Sequence, residues 1–331
     1  MMIRSTQHKS PSFSRLVWRK LRRDRLAMIG LTTVAVLVCI ALFAPLLAGD
    51  VPIAMRWQGR WWCPLVQRVQ LPPDTNFRTV PDATVIMPLI PFSPTEFNLG
   101  ATLVRPNRTH WLGTDDQGRD VAARLIYGTR ISLSIGFVAV GLAALIGIFV
   151  GAAAGYYGGW IDIVISRCIE VMYCFPTFFL ILAVLAFVQP SIYNIMIVIG
   201  LTGWPGVARL IRGEFFKLRG QDFVAASQVS GASALRIMFR HILPNGIAPV
   251  LVSVTFDVAS AILVESSLSF LGFGVPPYEP SWGGVLSQAH EFIDIAWWLT
   301  IAPGAAIFIT ITAYNLVGEG LRDAIDPRVK I

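Results

Sequence analysis

Long apolar runs, separated by shorter polar stretches, dominate the chain, and six of them, five without a charge, are long enough to read as membrane-crossing helices. They cover residues 26–48, 131–157, 171–188, 192–208, 247–273 and 295–317. The third and fourth are shorter than the others, so tilt or neighbouring polar residues must assist them. The fifth carries two acids, Asp257 and Glu265. The first run exceeds the apolar core of a secretory leader, and no clear small-x-small cleavage site precedes Asp50, which makes it a retained anchor. The expected fold class is an all-α polytopic membrane protein with six transmembrane helices.

Composition agrees with that pattern. Hydrophobic residues make up 54% of the chain, charged residues only 14%, and the mean hydropathy is +0.62. Soluble domains carry nearer a quarter charged residues. The net charge of +7 is unevenly placed. Arg4, Lys9, Arg15, Arg19, Lys20, Arg22, Arg23 and Arg25 stand against Asp24 before the first run, so this end is expected inside. Six crossings then return Arg322, Arg328 and Lys330 to the same side, giving cytoplasmic N- and C-termini. The region between the first two runs is nearly balanced in charge. The basic balance is therefore a topology signal, with some attraction to anionic membrane lipid, and needs no nucleic-acid partner.

The most informative polar island lies between the fourth and fifth runs, at 212–246. Its stretch D-F-V-A-A-S-Q-V-S-G-A-S-A-L-R-I-M-F-R-H-I-L-P-N predicts two short helices around a sharp turn at Gly231. Leu235, Met238, Phe239 and Ile242 recur at three- and four-residue steps, with Arg236 and Arg240 on another face, and Pro244 is expected to end that helix. Small residues at Ala225, Ala226 and Ser227 offer close approach to a soluble partner.

Within the second run Gly147, Gly151 and Gly155 repeat every four residues, a face that lets another helix, of this bundle or of a second subunit, come near. Pro176 and Pro303 are expected to kink their spans, and Pro205 to do so near the end of the fourth. Asp257 and Glu265, eight residues apart, are functional candidates because an unpaired acid in lipid is costly. They line a translocation path and meet a substrate amino terminus, or they pair with another helix, cap a local break or sit near the membrane surface. Before the second run, L-G-T-D-D-Q-G-R-D places Asp115 and Gly118 in a turn and Asp120 at a helix N-cap. The spacing is not that of an EF-hand, and no metal site is assigned. Cys39, Cys63, Cys168 and Cys174 form neither a disulfide framework nor a zinc pattern.

Several blocks carry a family resemblance. The island resembles the E-A-A-x-x-x-G and L-P signature of ABC-importer permeases, matching at Ala226, Gly231 and Leu243-Pro244 but with Ala225 at the Glu position and Ser227 at the second Ala. L-G-T-D-x-x-G-R-D, G-Y-Y-G-G-W-I-D, G-W-P-G-V-A-R-L-I-R-G-E, S-S-L-S-F-L-G-F-G-V and N-L-V-G-E-G-L-R-D-A-I-D-P closely resemble the C-type permease subunits of oligopeptide and dipeptide importers. The Trp-, Pro- and Arg-rich segment after Asp50 is similar to the enlarged outer segment of Yej-type peptide and microcin permeases. Its Trp57, Trp61 and Trp62 suit a partner surface, the membrane interface or a small core.

The resemblance implies a type I ABC-importer permease fold in a bacterial inner membrane. Residues 1–25 would form a basic cytoplasmic arm, 26–48 the first span, 49–130 an extracytoplasmic segment, 131–320 a five-helix core and 321–331 a cytoplasmic tail. It also implies an ATPase-coupling role for Ala225, Ala226, Ser227, Gly231, Leu243 and Pro244. The implied partners are a second permease, two ATP-binding subunits and an extracytoplasmic binding protein that delivers peptide. The chain itself has no phosphate-cradling G-x-x-x-x-G-K-[ST] loop, no H-E-x-x-H and no G-x-S-x-G, so neither enzyme chemistry nor a cofactor is expected. A nickel importer shares much of the motif set. An ion-coupled transporter using Asp257 and Glu265 would leave the Gly231 module without a role.

Overall fold

The computed structural model describes residues 13–57, 59–65, 77 and 84–326. Arg4, Lys9, Arg328 and Lys330, used above for orientation, lie outside them. A short amphipathic helix, α1 (Phe13–Leu21), leads into α2 (Arg25–Leu42). Asp24 caps α2, its Oδ1 accepting from the N–H groups of Leu26 and Ala27 at 2.9 and 3.3 Å. After the brief α3 (Ala44–Leu47), the outer segment adds a small antiparallel sheet to the helical fold. In it β1 (Ala54–Trp57) sits between β2 (Arg60–Trp62) and β3 (Thr84–Ile86). Met55 is its fully buried residue, whereas Trp61 is 61% exposed.

The core begins with α4 (Val121–Tyr157), whose 37 residues would extend about 55 Å at helical rise. That exceeds the hydrocarbon layer, so the first turns after Asp120 stand outside it. Gly158, at φ 66°, ends α4 and starts α5 (Gly159–Cys174). The expected third span at 171–188 is corrected here. It is not one kinked helix but a broken pair, α5 and α6 (Thr177–Leu185), bent by 80°. Pro176 both lacks an N–H and disfavours helical geometry at the residue before it, and Phe175 is accordingly extended at φ −98°, ψ 129°. Pro205, by contrast, lies inside the continuous α7 (Ile192–Leu218).

The polar island follows as α8 (Asp222–Val229), α9 (Ala234–Arg236), a wide π-helical turn over Ile237–Ile242, and α10 (Leu243–Gly246). Then come α11 (Ala248–Phe270), α12 (Trp282–Phe292) and α13 (Trp298–Ile325). Pro303 lies within α13.

Five of these helices are long and apolar enough to cross a membrane, and the α5–α6 pair makes up to six. Packing supports six. Along α4, Gly147, Gly151 and Gly155 meet Trp204–Val207, Ala208–Ile211 and Arg212–Phe215 of α7 in the same order, so the two helices run parallel. The α5–α6 pair must therefore carry the chain back across. Phe256 of α11 touches Gly318 of α13, while Leu263 and Phe270 line a cleft with Gly304 and Ile307, so these two run antiparallel. The start of α11 thus lies at the end of α13. There Leu21, Ala27 and Ala324 form a buried cluster, and Lys20 Nζ donates to the Asp326 carbonyl at 3.2 Å. Both described chain ends and the polar island share one face of the bundle.

Candidate functional site

The island is a compact module with a buried underside. Val224, Ile237, Met238 and Ile242 pack with Val207, Ile211, Phe215, Ala152 and Val250, which fixes it to α4, α7 and α11. Gly231 occupies the left-handed region at φ 75°. The Ala232 N–H donates to the Ser227 carbonyl at 3.1 Å and the Gly231 N–H to the Gln228 carbonyl at 2.9 Å. This six-to-one and five-to-two pairing is a Schellman motif, which closes α8 and reverses the chain. Ser227 Oγ and Ser230 Oγ donate to the carbonyls of Phe223 and Ala226.

Two expectations for the second half of the module are corrected. Pro244 does not end the helix, since α10 continues through it to Gly246. The widened hydrogen bonding of Ile237–Ile242 precedes the proline in the chain, and Pro244 occupies an early position of α10, where a missing N–H costs little. The wide turn also changes which residues face inward. Ile237 is buried and Leu235 is 65% exposed, the reverse of an ideal 3.6-residue reading. The outward surface includes Ala225, Ala226, Gly231 and Pro244, with Ser227 and Leu243 half-buried, Phe223, Val229 and Leu235 as exposed apolar groups, and Asp222, Arg236 and Arg240 as exposed charges.

A charged brace ties the end of α7, just before the module, to α5. Arg212, near the end of α7, grips Asp162 of α5 through Nε and Nη2, the latter at 2.8 Å from Oδ2. Arg219 Nη1 donates to the Gly155 carbonyl at 3.2 Å, and both arginines lie over the Phe216 ring, at 4.9 and 4.5 Å. None of this brace was singled out from the sequence. The available signal was an acid and a base of opposite sign in two blocks, G-W-I-D and L-I-R-G-E, that the topology brings to the same end. The glycine row of α4 is equally tight. A Cβ on Gly147 would lie 2.6 Å from Val207 Cβ, one on Gly155 2.5 Å from Phe215 Cβ, and one on Gly151 would overlap the Ala208 carbonyl.

The two intramembrane acids have different settings and are not brought together. Glu265 is fully buried. Ser269 Oγ donates to its Oε1 at 2.8 Å, and the hydroxyls of Ser266 and Ser132 reach Oε2 at 3.4 and 3.5 Å. Ser132 Oγ in turn accepts from the Trp282 N–H, so Glu265 ties α11 to α4 and α12. Asp257 is half-buried, with Ser253 Oγ 3.2 Å away. Neither acid lines the apolar cleft of about 570 Å³ between α11, α12 and α13.

At the opposite end of the bundle, the L-G-T-D-x-x-G-R-D stretch forms a buried polar knot. Asp115 Oδ1 accepts from the N–H groups of Gln117 and Arg119, and Oδ2 from Arg119 Nε at 2.7 Å. Asp120 caps α4 at the Ala123 N–H and meets His110 Nδ1 at 2.8 Å. Trp298 Nε1 donates to the Thr114 carbonyl. Burial, with Asp115 alongside, raises Asp116 above the ordinary carboxylate value.

Residues 143–331 match the family described as "Binding-protein-dependent transport system inner membrane component", and residues 12–60 match "N-terminal TM domain of oligopeptide transport permease C". The "Dipeptide transport system permease protein DppC" of Alkalihalophilus pseudofirmus is 36% identical over 324 residues, 98% of this chain and 93% of the relative. This chain is a C-type permease of the binding-protein-dependent transport family. The DppC protein of Haemophilus influenzae is 42% identical to the permease over 75% of this chain and 86% of its own length. The "Glutathione transport system permease protein GsiD" of Escherichia coli is 36% identical over 95% of this chain and 90% of its own length. Among solved structures, an inward-facing MetNI methionine ABC transporter aligns with a TM-score of 0.49 and 16% identity, covering 61% of this chain and 96% of that one. The family match makes the permease a multi-pass inner-membrane transport component and not an enzyme.

Proposed function

We propose that the permease forms half of the translocation pathway of an ATP-driven importer for short peptides, and that residues 222–244 are its coupling surface for an ATP-binding subunit. The observation that carries this reading is the module itself. It has a buried apolar underside, it follows directly on the stretch of α7 that is braced to α5, and its outward face carries small and exposed apolar residues beside Asp222, Arg236 and Arg240. It shares its bundle face with the basic chain start, which the positive-inside rule assigns to the cytoplasm together with both termini. A rigid body of this kind transmits closure of the ATPases into the helix bundle.

A second permease would complete the pathway, two ATP-binding subunits would supply hydrolysis, and an extracytoplasmic binding protein would deliver the peptide. The oligopeptide-permease match at the chain start and the dipeptide and glutathione names among its relatives support peptide cargo. On this reading Asp257, half-buried on α11, would meet a peptide amino terminus, whereas Glu265, buried among its serines, would hold the helices in register. The test is uptake by the reconstituted complex of labelled dipeptide, tripeptide and Ni²⁺ in separate runs, with and without the binding protein. Peptide accumulation that needs both ATP and the binding protein is expected. Accumulation of Ni²⁺ without peptide would overturn the cargo assignment.

A further inference from the structure

The basic chain start has a use beyond setting topology. We propose that α1 and the turn after it form a docking site for the anionic phospholipid headgroups of the leaflet that α2 enters. The helix has two faces with different fates. Val17 and Leu21 point into the bundle and pack with Ala27 and Ala324, and Lys20 is held by the Asp326 carbonyl. The other face is exposed among the described residues. Arg15, Arg19, Arg22 and Arg23 are exposed and, with Trp18, surround a common hollow of about 470 Å³. Their spacing of four, three and one residues keeps them on one side of the helix and its last turn, which the Arg22 N–H extends by donating to the Trp18 carbonyl at 3.0 Å.

Among the described residues no ion pair engages any of the four. The nearest acid in the chain, Asp24, uses its carboxylate to cap α2.

Chain length places this hollow in the headgroup layer. Arg22 is three residues from Arg25, the first residue of α2, so their Cα atoms are at most about 11 Å apart. Leu26 and Ile29 are already 59% and 58% exposed, as lipid-facing groups are, so the hydrocarbon begins within one turn of Arg25. The polar layer on each side of a bilayer is about 5–8 Å thick. Trp18, 50% exposed at the rim of the hollow, has the apolar body and polar N–H that favour this depth. Four guanidiniums around one hollow present the fork donors that bind phosphate oxygens in pairs.

The experiment uses the complete importer in phosphatidylcholine nanodiscs that contain an equal mole fraction of brominated phosphatidylglycerol or brominated phosphatidylcholine. The signal from Trp18 is isolated by subtracting that of Trp18→Phe. Brominated phosphatidylglycerol is expected to quench Trp18 more strongly, at a local enrichment that falls roughly fivefold for each arginine removed. The quadruple change Arg15→Gln, Arg19→Gln, Arg22→Gln and Arg23→Gln should abolish the preference, and the same four changed to Lys, which keep the charge but lose the fork, should keep only part of it. Co-purification of the ATP-binding subunits reports folding of each variant. If the Gln variant fails to assemble, the wild-type comparison between the two lipids decides alone. Equal quenching by the two lipids, or a preference that survives in an assembled Gln variant, would overturn the proposal. Loss of the preference on adding inorganic phosphate at constant ionic strength would reassign the hollow to a soluble anion. Protection from both lipids on binding the ATPases would reassign it to an acidic protein surface.

Discussion

Gly231→Ala isolates the backbone contribution to coupling. At φ 75° the residue lies where a Cβ costs about 1–2 kcal/mol. No heavy atom lies within 4 Å of the position a Cβ would take, so the penalty contains no packing component. If the ATPase recognises the left-handed turn, that energy appears as a roughly 5–30-fold weaker association. Gly231→Asn is the informative partner, because asparagine visits the left-handed region more readily than alanine and should lose less. Gly231→Pro should lose more than either. It forbids the positive φ and removes the N–H that donates to Gln228. The assay is the dissociation constant of the purified ATP-binding subunit for the reconstituted permease, measured for all four proteins. An order of wild type, Asn, Ala and Pro from tightest to weakest is expected. Equal affinity for Ala and wild type, or Asn weaker than Ala, would refute the argument from the turn.

Gly151→Leu should destabilise the α4–α7 seam by about 1–3 kcal/mol through overpacking, read as faster thermal inactivation in detergent, whereas Gly141→Leu, with open space around it, should not. Asp162→Ala and Arg212→Ala, combined in a double-mutant cycle, should show a coupling of about 0.5–3 kcal/mol in thermal stability, and additive effects would remove the brace. Glu265→Gln should be tolerated better than Glu265→Leu, since the amide oxygen still accepts from a serine while leucine strands buried hydroxyls at a cost of about 1–3 kcal/mol. The carboxyl of Asp116 is raised in the folded state, so the stability it contributes is present below its ordinary value near 3.8 and is lost as pH rises through the folded value. Asp116→Asn should therefore raise the melting temperature at neutral pH and leave it nearly unchanged in acid.

Residues whose effect is local were legible in the sequence. Asp120 and Gly231 act through their own backbone neighbourhood, and each stands as a cap or turn. The apolar runs marked the spans because their length is set by the bilayer. The break at Phe175–Pro176 was underestimated, since a proline inside an apolar run reads the same whether it kinks a helix, as Pro303 would, or ends it. The inward face of the module was misread at Leu235 because the periodicity argument assumes 3.6 residues per turn, and the wide turn at Ile237–Ile242 does not keep that period. The Asp162–Arg212 brace and the Ser132–Glu265 contact join residues 50 and 133 positions apart, which no local pattern can pair. For the same reason the destination of the glycine row, α7 of this chain, emerged only with the fold.

The central claim is that the module around Gly231 transmits ATP hydrolysis to transport. It is tested most directly by peptide uptake into proteoliposomes that contain the binding protein, both permeases and the ATP-binding subunits, comparing wild type with Gly231→Pro. ATPase co-purification is followed in the same preparations. The account predicts ATP-dependent uptake in wild type, lost in the variant together with ATPase association. Uptake that persists without the ATP-binding subunits and collapses with the proton gradient would contradict it.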